Sequence, residues 1–233
     1  MTEDIVRDFK KVSSKEKADI LQRFFKTGKG EYGEGDVFVG VVVPEIRKLC
    51  KKYYKEILFD TLDYFLHSEI HEYRLFSLLT LTYKYEKTEE KERKKIYEYY
   101  IKNIKYINNW DLVDLSAPKI VGGYLKEKDR SILYEMIESK NIWEQRVAIL
   151  STFTFIRNND FKEILIFSEK LLDHKHDLIH KALGWMLREL GKRDEKVLKN
   201  FLDRYYLKMP RTMLRYSIER LNETEKLRYM SKA

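Results

Sequence analysis

Asn108-Asn109-Trp110-Asp111-Leu112 is one member of a series, and the series decides the fold. Glu72-Tyr73-Arg74-Leu75-Phe76 precedes it, and Glu144-Gln145-Arg146-Val147-Ala148 and Ile179-His180-Lys181-Ala182-Leu183 follow, so that Arg74, Trp110, Arg146 and Lys181 recur at intervals of 36, 36 and 35 residues. A period of that length, with two helical segments in each repeat, is the signature of an α-solenoid, whose units pack on their neighbours and align equivalent side chains into a stripe. One helical turn further on, the same face carries Leu78, Asp114, Leu150 and Trp185. A Trp stands where the pattern has a base, and an Asp and a Trp stand where it has Leu. Residues that break a packing pattern are the first candidates for chemistry.

Outward from these stretches, apolar residues recur at helical spacing almost throughout. Glycine numbers 9 and proline 3 (Pro44, Pro118 and Pro210), so the chain is expected to be all-α with no substantial sheet. At 233 residues it is long enough for a continuous core, and the repeat points to one helical-repeat solenoid domain over 1–233. Two amphipathic helices are predicted within 3–26, the second begun by a capping box at Ser13-Ser14-Lys15-Glu16. Pro44 opens the next helix, with Ile46, Leu49 and Cys50 inside it, and others are predicted near 54–66, 70–84 and 89–104. Hairpins continue at 108–125, 129–138, 143–156, 159–172, 177–190, 194–206 and 210–221, with Gly122-Gly123, Asn158-Asn159 and Gly191 as helix stops. Pro118 either causes a kink or restart beside Asp114 or lies in the first turn of a new helix capped by Ser116. Five of the glycines fall between Gly28 and Gly40; lacking the Gly-Lys-Ser/Thr ending of a phosphate loop, that stretch reads as a flexible connector, with Lys26 and Lys29 placed to touch a polyanion.

Lys and Arg number 46 against 38 Asp and Glu, a net charge of +8, which favours a polyanionic partner over the plainer reading of a lysine-rich surface once the clusters Lys119–Arg146 and Lys181–Arg215 are noticed near the stripe. A basic concave groove is therefore expected, with Arg47, Arg74, Lys181, Arg188, Arg211 and Arg215 as candidate phosphate contacts. Cys50, the single cysteine, permits no intramolecular disulfide and reads as core. An acidic amino terminus and no run of membrane-spanning length point to a soluble, cytoplasmic protein. His174, His176 and His180 with Asp173 and Asp177 offer too few ligands in reach for zinc and read as caps or phosphate contacts; Trp143, off the stripe, reads as packing. No metal or cofactor is expected, and a capped array can stand as a monomer.

Trp110 and Asp114 share one face at i and i+4. A carboxylate beside an indole is partly desolvated and acts strongly on a nearby cation. With Arg146 and Trp185 along the stripe, the set suits a cationic, ring-shaped ligand held near a phosphate. The same residues are also accounted for if both Trp are core or interface residues and Asp114 pairs with Arg146.

Four blocks, in order, go further. Phe38-Val39-Gly40-Val41 with Pro44-Glu45-Ile46-Arg47, then Asn109-Trp110-Asp111 with Asp114, then Asn141-Ile142-Trp143 with Gln145-Arg146-Val147-Ala148-Ile149-Leu150, then Lys181-Ala182-Leu183-Gly184-Trp185-Met186-Leu187-Arg188-Glu189, resemble the AlkD-type DNA alkylation repair glycosylases, a family of HEAT-like repeats, over about residues 20–221. The resemblance implies lesion-facing Trp110, Trp185 and Asp114, with Arg146 on the DNA backbone. Where the family places a Tyr from an early helix, this chain offers Phe24 and Phe25, followed by Tyr32.

What the resemblance implies is a monofunctional glycosylase of base excision repair. It would excise cationic alkylated purines such as 3-methyladenine and 7-methylguanine from double-stranded DNA by hydrolysing the N-glycosidic bond, without flipping the base into a pocket. The alternative is a non-catalytic HEAT-repeat module that binds nucleic acid or protein, with the Trp residues as anchors.

Overall fold

Helices begin in this chain where a side chain can accept a backbone N–H. In the computed structural model, which describes residues 1–231, Ser14, Asn109, Asn141, Asp194 and Asn222 each accept from the helix that follows, and His176 does so through Nδ1. Each satisfies a donor that has no partner inside the helix. Ser14 is the cap of the second helix, while Ser13 closes the first by donating to the Lys10 carbonyl; the cap therefore lies one residue later than expected and, with Lys17 in place of an acid three residues on, it is a simple cap and no capping box. The result is all-helical; among the described residues the sole β feature is one parallel bridge between Val37 and Ile70.

The chain divides into two units, Met1–Ser116 and a second beginning at Ala117. The first holds α1 (Thr2–Val12), α2 (Lys15–Phe24), α3 (Val43–Tyr53), α4 (Phe59–Leu66), α5 (His71–Lys87), α6 (Glu90–Lys102) and the short α7 (Trp110–Asp114). At its centre α5 is buried on all sides from His71 to Thr82, with α3 and α4 packed on it. Phe9 of α1 meets Phe65, Tyr73 and Phe76 at ring separations of 6.4, 4.8 and 5.5 Å, an aromatic cluster that joins α1, α4 and α5. Cys50 is fully buried, and that burial pushes its thiol up to about 12, which suits packing rather than chemistry.

A helix buried on all sides can carry polar residues when most of them find partners. Ser77 donates to the Leu62 carbonyl and Thr82 to that of Leu79. Glu72, 2% exposed, accepts from the backbone N–H groups of Val39, Gly40 and Val41 at 3.1, 2.8 and 3.2 Å. This carboxylate pins the glycine-rich stretch, which is therefore no slack connector. Gly40 has φ +79°, and a Cβ there would run into the Ser14 carbonyl, so only glycine lets the stretch lie against the start of α2.

The second unit holds α8 (Gly123–Leu125), α9 (Ser131–Glu138), α10 (Ile142–Arg157), α11 (Lys162–Lys170), α12 (Asp177–Gly191), α13 (Glu195–Tyr205), α14 (Arg211–Ser217) and α15 (Glu223–Met230). Its centre is α10, with α9 and α12 packed on it. Ahead of α8 runs a π turn, Pro118–Gly122. Of the two roles open to Pro118, the structure has a restart: α7 ends at Asp114, and Ser116 caps nothing but donates back to the Leu112 carbonyl at 2.5 Å. Gly122 is not a helix stop. A Cβ on it would collide with the Ser151 carbonyl, so its place is a close approach of the π turn to α10. Apolar spacing does not foretell α15, a charge-dense helix in which Tyr229 alone is buried, its hydroxyl donating to Asp203 at 2.9 Å. Among the described residues no helix is long and apolar enough to cross a membrane.

Glu72→Ala strands three backbone donors in the interior. Equilibrium unfolding in denaturant is expected to show a loss of about 3 kcal/mol, since hydrogen bonds to a charged acceptor carry about 1.5–3 kcal/mol each and buried donors left unpaired add to that. A loss below about 0.5 kcal/mol would show that the anchor is dispensable.

Candidate functional site

A helix of five residues, such as α7, has too few internal hydrogen bonds to hold its own position. The residues on either side of Trp110 supply the hold. Asn109 accepts from Trp110 N at 2.8 Å through Oδ1 and donates through Nδ2 to Asp36 Oδ2 at 3.0 Å. Asp111 accepts from Leu112 N at 2.8 Å through Oδ1 and from His71 Nε2 at 2.8 Å through Oδ2. His71 Nδ1 meets Asp36 Oδ2 at 2.9 Å, and Arg74 Nη2 reaches Asp36 Oδ1 at 2.5 Å.

These groups are interior: His71 is 1% exposed, Asp36 3%, and Arg74 and Asp111 6% each. Ionised carboxylates only accept, so both ring nitrogens of His71 must carry protons and the side chain is an imidazolium. With Arg74 it makes two cations against two anions, a neutral set in which no charge lies unpaired. Burial by itself would lower the pKa of His71, but the charges and hydrogen bonds of Asp111 and Asp36 prevail and raise it to about 9. Burial works against the Asp36 anion as well, and the His71 hydrogen bond and Arg74 charge nevertheless hold its carboxyl below the usual range.

Aromatic rings enclose the imidazolium. Phe38 stacks on it at 4.6 Å and Phe25 lies against it at 4.9 Å. Phe25 in turn stacks on Trp110 at 5.2 Å with the planes 12° apart, and Phe24, 61% exposed, stands edge-on to Trp110 at 6.1 Å. Of the three aromatics offered where the family has its early Tyr, Phe24 and Phe25 thus touch Trp110.

The stripe read from the sequence divides by burial. Leu78 and Leu150 are fully buried, whereas Asp114 in the first unit and Trp185 in the second are both partly exposed. Within the second unit the Trp185 indole N–H donates to Glu189 at 3.2 Å and its ring leans on Phe153. Arg146 is 5% exposed and donates through Nη1 to the Leu178 carbonyl in the first turn of α12 at 2.6 Å. Lys181 pairs with Asp177 at 2.8 Å, and Arg188 pairs with Glu219 and lies 3.5 Å from Glu189. Arg211 donates to the Met230 carbonyl at 2.9 Å, Arg215 is exposed and Arg47 is half-buried.

Arg74 needs correction: expected to meet a phosphate, it is buried and turned inward, with Nη2 on Asp36 and Nη1 on the Ser68 carbonyl at 3.3 Å. Trp143 is buried as packing. The histidines act in local structure, His176 as the cap of α12 and His180 through Nε2 to the His174 carbonyl at 2.5 Å; no metal-ligand cluster occurs among the described residues. Sequence reading missed His71 and Asp36. Their pairing joins positions 35 residues apart, and no local spacing signals it.

Stability should follow the His71 proton. The folded state holds it up to about 9 while the unfolded chain releases it near 6.5, so the contribution is complete below 6.5 and is lost as pH rises through 9. Urea midpoints measured across that window are expected to fall in the wild type; a midpoint that stays level to pH 10 would mean that His71 is buried neutral.

A family model described as DNA alkylation repair enzyme matches residues 5–221. Among solved structures, one described as a predicted DNA alkylation repair enzyme from Enterococcus faecalis is 18% identical, with a TM-score of 0.69 over 91% of this chain and 97% of that one. Another, smu.31 from Streptococcus mutans UA159, is 19% identical with a TM-score of 0.49 over 93% of this chain and 95% of that one. No curated protein matches.

Proposed function

The chain belongs to the DNA alkylation repair enzyme family, and from that premise we propose that it is a monofunctional glycosylase that releases cationic alkylated purines, such as 3-methyladenine and 7-methylguanine, from double-stranded DNA in base excision repair. One observation carries the reading beyond the family. At positions where the repeat buries Leu78 and Leu150 completely, this chain keeps a partly exposed acid and a partly exposed indole, Asp114 and Trp185. A partly exposed Asp and Trp at core positions of a repeat give up packing that Leu would make, and a ligand accounts for that.

The chemistry asks little of the protein. Alkylation gives the base a positive charge, so it departs with the glycosidic electron pair as a neutral molecule, and the barrier is chiefly that of an oxocarbenium-like sugar. Asp114 stabilises that charge and orients the water whose oxygen bonds to C1′, its proton passing to the carboxylate or to solvent. Trp110 and Trp185 present ring faces to the deoxyribose as positive charge develops. A base that is already cationic needs no general acid and no enclosing pocket, which fits excision without base flipping. No amine is assigned an attacking role, so no strand cleavage accompanies release. By the motif match Arg146 takes the DNA backbone, and, being 5% exposed with Nη1 on the Leu178 carbonyl, it turns outward to do so; Arg47, Lys181 and Arg188 are further contacts.

Duplex DNA treated with a methylating agent, incubated with the protein and analysed by chromatography, is expected to yield free 7-methylguanine or 3-methyladenine. Asp114→Asn should slow release about a hundredfold or more while leaving duplex affinity nearly unchanged. Release at the wild-type rate would remove Asp114 from the chemistry; tight binding by the wild type without release would make the chain a binding module. Arg146→Ala should weaken binding and lower the slope of log affinity against log salt by about one. An unchanged slope would take Arg146 off the backbone.

A further inference from the structure

The cluster around His71 has no part in the excision chemistry, yet the residues on both sides of Trp110 end on it. Asn109 reaches Asp36, and Asp111 reaches His71 itself. We propose that His71, held as an imidazolium between Asp36 and Asp111, is a positioning residue that fixes the Trp110 ring and releases it on losing its proton. The part played by Trp110 at a lesion rests on the glycosylase reading; the placement of its ring does not.

The argument turns on what each carboxylate keeps. A neutral imidazole has one N–H, so its other nitrogen would point a lone pair at an oxygen less than 3 Å away, at 2.8 or 2.9 Å. The cluster would then hold two anions against the single cation Arg74, in the interior. The charged groups facing His71 are Asp36 from the glycine-rich stretch, Asp111 from α7 and, through Asp36, Arg74 from α5 itself; Phe25 and Phe38 offer only ring faces. Asp36 retains Arg74 and Asn109 when His71 loses its proton. Among the described residues Asp111 Oδ2 meets His71, while its other oxygen accepts from Leu112 N. Loss of the Nδ1 proton turns a lone pair on the Asp36 oxygen that also holds Asn109, and loss of the Nε2 proton releases Asp111. Asn109 and Asp111 are the chain neighbours of Trp110, whose helix is too short to hold itself, and either loss also loosens the ring stack that runs from His71 through Phe25 to Trp110.

The test is a pH titration of the protein labelled with 5-fluorotryptophan and ¹⁵N-histidine. Its three indoles give three ¹⁹F lines, that of Trp110 assigned through Trp110→Phe. The Trp110 line is expected to move with the His71 ring nitrogens, at a midpoint far above 6.5, while those of Trp143 and Trp185 stay still. In His71→Gln the Trp110 line should be displaced and level with pH, and excision at neutral pH should fall about tenfold to a hundredfold, as expected for a misplaced contact group. A His71 midpoint near 6.5, or a Trp110 line indifferent to it, overturns the proposal; should His71→Gln not fold, the wild-type titration alone decides. If the wild type releases no base while the Trp110 line follows His71, the glycosylase reading fails and the positioning stands.

Discussion

Two buried carboxylates organise the first unit. Asp36 and Glu72 lie inside a helical protein where neither would be tolerated alone, and each is made tolerable by several donors at once: His71, Arg74 and Asn109 around Asp36, three consecutive backbone N–H groups around Glu72. A carboxylate satisfied in this way constrains everything that donates to it. The donors come from the glycine-rich stretch, from the start of α5 and from the turn before α7, so these segments have one arrangement in which no charge is stranded. Trp110 inherits its place from that arrangement.

In the second unit the buried charge is again a carboxylate, Glu163, and it meets a partly exposed Arg130. Arg130 is held by Asp160 at 2.7 Å and by the buried Glu163 at 2.6 Å, with its guanidinium 3.8 Å from the Phe155 ring centre. Here the pairing ties the start of α9 to α11 and to the last turns of α10, and none of the candidate residues of that unit takes part. Buried ionic groups thus have two distinct uses in one chain: around Arg130 they join helices, and around His71 they also aim a side chain.

Much of the fold was legible because it depends on local properties. The helix at Pro44, the long helices over 71–87, 142–157 and 177–191 and the buried face of Ile46, Leu49 and Cys50 follow from apolar spacing and proline chemistry that act within a few residues. The misreadings share a cause. Gly122 looked like a stop because glycine ends helices, yet its small size is needed against the Ser151 carbonyl, 29 residues away. The stretch from Gly28 to Gly40 looked slack because glycine is flexible in isolation, yet Glu72 and Asp36 fasten it. Arg74 looked like a surface base because arginines usually are, and only its neighbour Asp36 shows otherwise.

The sequence by itself determined the helical class, the repeat, the positions at which the repeat is broken and, through its four ordered blocks, the family, because periodicity and motif are properties of order along the chain. Tertiary structure decided which of the basic and acidic residues face inward, that His71 is charged and that Trp110 is clamped from both sides. Those outcomes depend on the distance between groups far apart in sequence and on the loss of water around them, and in the interior the energy of a charge is set by its neighbours and its solvation rather than by its place in the chain.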